Sequence, residues 1–208
     1  MFIVLDGIDG AGKGRQREEV IAQLQIQNKQ VAGEEFPVHN SFYENVIHPA
    51  LQEQITMNGP SWVLSYLLDK TLQAPTIEPY VGNPNNLFIA DGYFTTTIAY
   101  QSFLMQQVEP QKILEYAKEF KIPTPDLAIY IDVDPKIAMK RKNTEEGHEE
   151  GLDMFEKSIE KQNKLRNIFL KMVKDGIYCN WQQVDGNRGI EVIRDDIIQI
   201  IKNYKHKK

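Results

Sequence analysis

The sequence predicts an α/β fold of three layers: a doubly wound, parallel, five-stranded sheet with helices on both faces. Three observations carry this. Short apolar runs bounded by Gly, Pro, Asp or Asn alternate with segments of helical spacing along the chain, a pattern met by parallel strands with right-handed helical crossovers. The first run, Phe2 to Leu5, passes through a glycine-rich turn, Gly7 to Gly14, into a helical segment. Phe36-Pro37 and Asp91 to Tyr93 also follow strand-like runs directly. Together with Gly7 to Lys13 they fall on the carboxyl rim of the sheet, where ligands gather in folds of this kind.

Taken in order, Phe2 to Leu5 reads as a buried strand, and Lys13 to Asn28 as a helix with Val20, Ile21 and Leu24 on its apolar face. Val31 to Phe36 is weaker strand material. Residues from about Tyr43 to Leu72 suggest two helices parted by Asn58-Gly59-Pro60, and Ala74 to Asn86, with three prolines, reads as a loop. Leu87 to Ala90 is a strand ending at Asp91 and followed by a helix over Thr95 to Gln107. Leu127 to Val133 repeats the strand pattern, after which Asp134-Pro135 opens a helix, since Asp caps and Pro suits the first turn. A charged stretch, Lys142 to Gly151, precedes a long helix from Asp153 to Asp175 stopped at Gly176. A last strand, Ile177 to Val184, leads through Asp185-Gly186-Asn187 to a final helix ending near Tyr204.

Composition narrows the function. With 208 residues, 41% hydrophobic and 25% charged, the chain suits one domain with a sizeable core. A net charge of -5 without a long basic stripe argues against a polynucleotide partner, which needs many phosphates neutralised. The terminal Lys205 to Lys208 run, KHKK, reads as a solvated helix end. No apolar stretch approaches the roughly 20 residues that cross a bilayer, and MFIVLDG is short for a signal peptide and carries no basic residue, so a cytoplasmic location without membrane contact is expected. The lone Cys179 lies in strand-like sequence and reads as a small buried hydrophobe.

The spacing G-x-x-x-x-G-K is supplied by Gly7, Gly12 and Lys13 between a strand and a helix, the context a phosphate-binding loop requires. Gly10 and Gly12 let the amides of residues 10 to 14, Ala11 and Gly14 included, converge on phosphate oxygens; the helix directs its positive end at them and Lys13 adds a cation. Gly14 stands where such loops commonly carry the hydroxyl that touches magnesium. Arg15 has two readings, a charge on phosphate oxygens or a side chain in solvent.

The chain resembles the thymidylate kinase family of nucleoside-monophosphate kinases, from FIVLDGIDGAGKG at its start to WQQVDGNRGIEVI near its end. ADGYFTTTIAYQS is similar to the family's D-R-Y/H-x-x-S/T-x-x-A-Y-Q pattern at Asp91, Tyr93, Thr96, Ala99, Tyr100 and Gln101. Phe36-Pro37, SYLLDK, PDLAIYIDVDP and LDMFE match in part, and the GAGKG run itself looks like the adenylate kinase loop. The resemblance implies transfer of a phosphoryl group from ATP to a deoxynucleoside monophosphate, dTMP foremost, with Mg2+ and a homodimer. Residue by residue it implies Asp9 near the acceptor sugar, Tyr66 stacked on the base, and Lys70 in place of a base-recognising arginine. Phe36 and Pro37 lie on the acceptor side, and Thr96, Tyr100 and Gln101 line the base and sugar pocket. Asp91 is assigned to orient magnesium or its water, and Asn187 to ATP. Arg141, with Lys140 and Lys142, opens a lid over about 141 to 153 that also carries Glu145, Glu146, Glu149 and Glu150; Arg166 is a further cation.

Two departures mark this chain. The family's arginine after the aspartate, which holds the acceptor phosphate, is Gly92, and the arginine of its D-R-F-E lid motif is Met154. Arg15 is then the candidate for a rearranged phosphate clamp. A noncatalytic or weakly active nucleotide-binding protein, or a kinase of another pyrimidine or modified monophosphate, stands as the alternative.

Overall fold

A computed structural model describes residues 1–26, 30–142 and 158–204. Its strands β1 (Phe2–Asp6), β2 (Val31–Glu35), β3 (Leu87–Asp91), β4 (Leu127–Asp132) and β5 (Trp181–Asp185) form one sheet in the order β2-β3-β1-β4-β5, parallel throughout. The expected fold class is the observed one. Every residue of β1 and β3 is buried, and β4 is buried up to Tyr130 and Ile131, as a sheet covered on both faces demands. The edge strands carry the polar residues, β2 reading VAGEE and β5 WQQVD.

Helix α1 (Lys13–Ile26) packs over β1, β2 and β3 and against α8 (Ile190–Asn203), which also covers β5; α7 (Ile159–Asp175) packs over β4 and β5. Local chemistry sets the ends. Asn58 Oδ1 accepts from the Ser61 amide at 2.9 Å to start α3 (Gly59–Ile77), and Asp134 Oδ1 accepts from the Lys136 amide at 2.8 Å to start α6 (Pro135–Lys142). Gly176 closes α7 with φ 62°, the left-handed cap that glycine enters freely.

The structure corrects several boundaries. Helix α3 runs through Pro75 to Ile77, where a loop is expected, because burial of Ala74 and Ile77 holds the last turn in place while the proline ring sits on the exposed side. The short helix α2 (His48–Leu51) continues a π-helical turn, Tyr43–Ile47. After β3, α4 (Phe94–Thr97) passes into a wider π-helical stretch, Ile98–Leu104, and stops short of Gln107. Helix α5 (Pro110–Glu119) is an addition to the elements read from the sequence. Strand β5 starts at Trp181 rather than Ile177, since Tyr178 takes φ 74° and breaks the extension. Cys179 therefore lies ahead of the strand, half-buried, its thiol pKa raised by desolvation. Residues 153–157, expected in the long helix, and the lid after Lys142 fall outside the described residues, as do Met154 and the KHKK ending.

Candidate functional site

The chain places an acid at the end of each strand: Asp6, Glu35, Asp91, Asp132 and Asp185. The glycine loop leaves β1 among the first three. Gly10 and Gly12 take φ 77° and 85°, a region open to glycine and strained for other residues. A methyl at Gly10 would lie 2.3 Å from the Ala138 carbonyl oxygen, so the loop is pressed against α6, whereas one at Gly12 would meet nothing within 4 Å. Helix α1 begins at Lys13, and its first amides have no partners within the helix. Backbone donors, a helix N-terminus and a lysine thus meet at one turn, the composition of an anion cradle.

Lys13 Nζ donates to the Ile8 carbonyl at 3.3 Å. Burial alone would lower its pKa, but the carboxylates of Asp91, Asp9, Asp6 and Glu35 outweigh that and hold it above the ordinary lysine value. Asp91 is the reverse case. It is 7% exposed, and desolvation pushes its pKa up to about 6 against the pull of Lys13. Desolvation likewise raises Asp6, whose Oδ1 accepts the Thr96 hydroxyl at 2.6 Å. The site also explains Gly14: a Cβ there would stand 3.1 Å from Asp91 Oδ2, so the Asp91 carboxylate comes up against the space that a serine or threonine side chain would occupy.

A second group of residues faces the rim beyond Asp91. Lys70 is 1% exposed, 2.7 Å from Asp69 Oδ2, and lies over the rings of Phe36, Tyr66 and Tyr93 at 5.1, 5.7 and 6.0 Å; desolvation lowers its pKa. Asp69 also accepts from the Val38 amide at 3.1 Å, fixing the turn after cis Phe36-Pro37. Tyr66 stacks on Trp62 at 6.0 Å. Asp9 Oδ2 accepts from Tyr100 Oη at 2.8 Å and from Gln162 Nε2 of α7 at 3.0 Å. Gln101 is buried, and its Oε1 has no hydrogen-bond partner among the described residues.

The structure thus gathers Gly10 to Gly14, Asp9, Asp91, Phe36, Pro37, Tyr66, Lys70 and Tyr100 around the carboxyl end of the central strands, with Gln101 next to Tyr100 in the π-helical stretch. It treats other candidates differently. Arg15 is exposed and paired with Glu19 at 2.8 Å, one turn along α1, so the solvent reading of its side chain is the one observed. Thr96, half-buried, donates its hydroxyl to Asp6 and accepts from the Tyr93 amide. Asn187 holds a turn: its Oδ1 accepts from the Asp134 amide at 2.9 Å, and its Nδ2 donates to Asp185 Oδ1 at 2.8 Å. Arg166 grips Asp132 in a two-pronged pair at 2.6 and 3.0 Å. Arg141 stands in the last turn of α6, three residues beyond the Ala138 that braces Gly10.

Three residues of this site, Asp6, Glu35 and Asp69, escape a sequence reading, and so does Arg17, whose charge acts on Asp91. Glu35 lies inside the strand read as Val31 to Phe36, and only the fold makes it the last strand residue, in register with Asp91. Arg17 was detectable as the residue four on from Lys13, on the same face of α1.

A family model described as thymidylate kinase matches residues 5–197. The chain belongs to the thymidylate kinase family. It is 30% identical to a probable thymidylate kinase of Methanosphaera stadtmanae, over 99% of this chain and all of that one, and 29% identical to the thymidylate kinase of Thermosipho africanus, over 98% of each. The thymidylate kinase of Danio rerio is 24% identical over 97% of this chain and 90% of its own. As a thymidylate kinase family member the chain departs at Gly92, and the structure supplies a steric context. Gly92 takes φ 62°, and a Cβ there would approach Thr96 Oγ1 to 3.0 Å, displacing the hydroxyl bonded to Asp6.

Proposed function

We propose that this protein transfers the terminal phosphoryl group of ATP to dTMP, giving ADP and dTDP. The observation that carries the reading is the glycine cradle with Lys13 set against buried Asp91, facing a second, aromatic-walled group of residues on the same sheet rim. Phosphoryl transfer asks the protein for alignment and for neutralisation of charge spread over the moving group. The loop amides and Lys13 hold the donor phosphates. The ring of Tyr66 receives the acceptor base, Asp9, fixed by Tyr100, faces its sugar, and the unpaired buried acceptor Gln101 Oε1 suits an N–H on the edge of a thymine.

Asp91 fits a magnesium ion in chemistry: it is a hard oxygen donor, and a pKa raised to about 6 still leaves its carboxylate mostly ionised at neutral pH. Among the described residues no three His, Cys, Asp or Glu side chains are arranged to cage a metal, which accords with magnesium held by one or two carboxylates plus phosphates. When bound, the ion neutralises phosphate charge. Arg141 and the segment to about residue 153 form the lid of what we take to be one kinase domain, closing over the transfer.

A homodimer belongs to the same reading, and Leu64, Leu68 and Leu72 support it. They lie four residues apart on α3, exposed at 60%, 44% and 54%, a stripe suited to a second copy. No described helix is long and apolar enough to cross a membrane, and we place the enzyme in the cytoplasm. The test is a coupled ADP-release assay with ATP, magnesium and a panel of monophosphates. Turnover led by dTMP is expected; ATP binding without turnover of any monophosphate would remove the kinase reading.

A further inference from the structure

The cations around the site are nearly all engaged. Lys70 is paired with Asp69, Arg15 with Glu19 and Arg166 with Asp132. Position 92, where the family carries the arginine for the acceptor phosphate, holds a glycine whose φ of 62° an arginine would adopt only under strain. Yet Asp6, Asp9, Glu35 and Asp91 all act on Lys13, and a nucleoside monophosphate adds close to two further negative charges. Lys13 alone does not balance that set.

Arg17 is placed to do so. It follows Lys13 by four residues on α1, so the two side chains share a face, and side chains on a helix lean toward its N-terminus, here toward the loop. Helix α1 lies over β2 and β3, whose last residues are Glu35 and Asp91. The Arg17 Nη1 atom is buried and has no hydrogen-bond partner among the described residues. A buried guanidinium N–H left unpaired is unfavourable, and a phosphate oxygen is its natural acceptor. Asp91 feels Arg17 as one of the cations opposing its raised pKa.

We infer that Arg17 grips the phosphate of the acceptor monophosphate, replacing from helix α1 the arginine that the family presents at position 92. This rests on the kinase reading above. It differs from the clamp expected at Arg15, because residues 13 and 15 point to different sides of a helix while 13 and 17 point to one. It also relieves position 92 of the need for a side chain, leaving that residue free to take the left-handed turn next to Thr96.

The test is Arg17→Gln, with Arg17→Lys beside it, read as separate KM values for dTMP and ATP and as calorimetric affinities for dTMP and for thymidine. Loss of one charge-assisted contact is expected to raise the KM for dTMP by about 10- to 150-fold, equivalent to about 1.5–3 kcal/mol. The KM for ATP and the affinity for thymidine, which has no phosphate, stay within about threefold, and Arg17→Lys recovers part of the loss. An unchanged KM for dTMP overturns the assignment, as does a rise confined to ATP or an equal loss of thymidine binding. Should Arg17→Gln fail to fold, Arg17→Lys decides the matter by the same comparison, a dTMP-selective loss supporting the assignment and an unselective or absent one overturning it. A wild-type protein inactive on dTMP would instead refute the functional reading, whereas an active one with an indifferent Arg17→Gln refutes only this inference.

Discussion

At the scale of single residues, the site is built from charges held away from their ordinary proton affinities. Desolvation raises the Asp91 pKa from 3.8 to about 6. Because the folded value lies above the unfolded one, the stability tied to its proton is fully present below about pH 4 and is lost as pH rises through 6. The nucleotide-free protein is therefore expected to lose about 1–3 kcal/mol over that window from this group, and Asp91→Asn to flatten that part of the stability profile in urea melts at several pH values. A pH profile identical in the variant would contradict the assignment. The buried Lys70–Asp69 pair makes the second prediction. Lys70→Met leaves Asp69 buried without its cation and costs about 3–5 kcal/mol, while adding Asp69→Asn recovers much of it; the comparison of the two melting midpoints checks this. These residues were only half legible from the chain. Lys70, Asp91 and Lys13 stood in recognisable spacings, but Asp69 and Asp6 take their roles from burial, which spacing does not report. Arg15 belongs to the loop motif in sequence, but helical rotation turns it to solvent beside Glu19, while Arg17 shares the face of Lys13.

At the scale of elements, the loop works because α6 backs it. The Ala138 carbonyl touches the face of Gly10 that a side chain would need, so Gly10→Ala is expected to lower ATP affinity at least tenfold and stability by about 2 kcal/mol or more, measured by calorimetry and thermal melting. Normal ATP binding by that variant would mean that the cradle is not the donor site. Gly92→Arg, which restores the family residue, meets a left-handed backbone and the Thr96 hydroxyl. It should cost about 1–2 kcal/mol without raising activity, and a gain in kcat/KM would contradict this. The central strands were legible because they are buried on both faces and carry no polar interruption. The ends of elements were less so. Pro75 reads as a breaker until its exposure is known, the π-helical stretch after α4 keeps an apolar pattern close to that of an α-helix, and Tyr178 adopts positive φ, which residue type does not announce.

At the scale of the molecule, the sheet order β2-β3-β1-β4-β5 brings β1 and β3 side by side, so that Lys13 and Asp91, 78 residues apart in the chain, meet over one rim. The fold class follows from alternation of strand and helix. The exposed α3 leucines are a property of the folded surface: four-residue spacing looks the same in sequence whether a stripe faces the core or the solvent. Leu64→Glu combined with Leu68→Glu is expected to shift the protein from dimer to monomer in sedimentation velocity, and a wild-type monomer would remove the dimer from the account. The most direct trial of the central claim is 31P NMR of the protein with ATP, magnesium and dTMP. ADP and dTDP should accumulate in equal amounts, with the rate falling at least a hundredfold in Lys13→Ala; a Lys13→Ala variant as fast as wild type, or both nucleotides bound without dTDP forming, would contradict it.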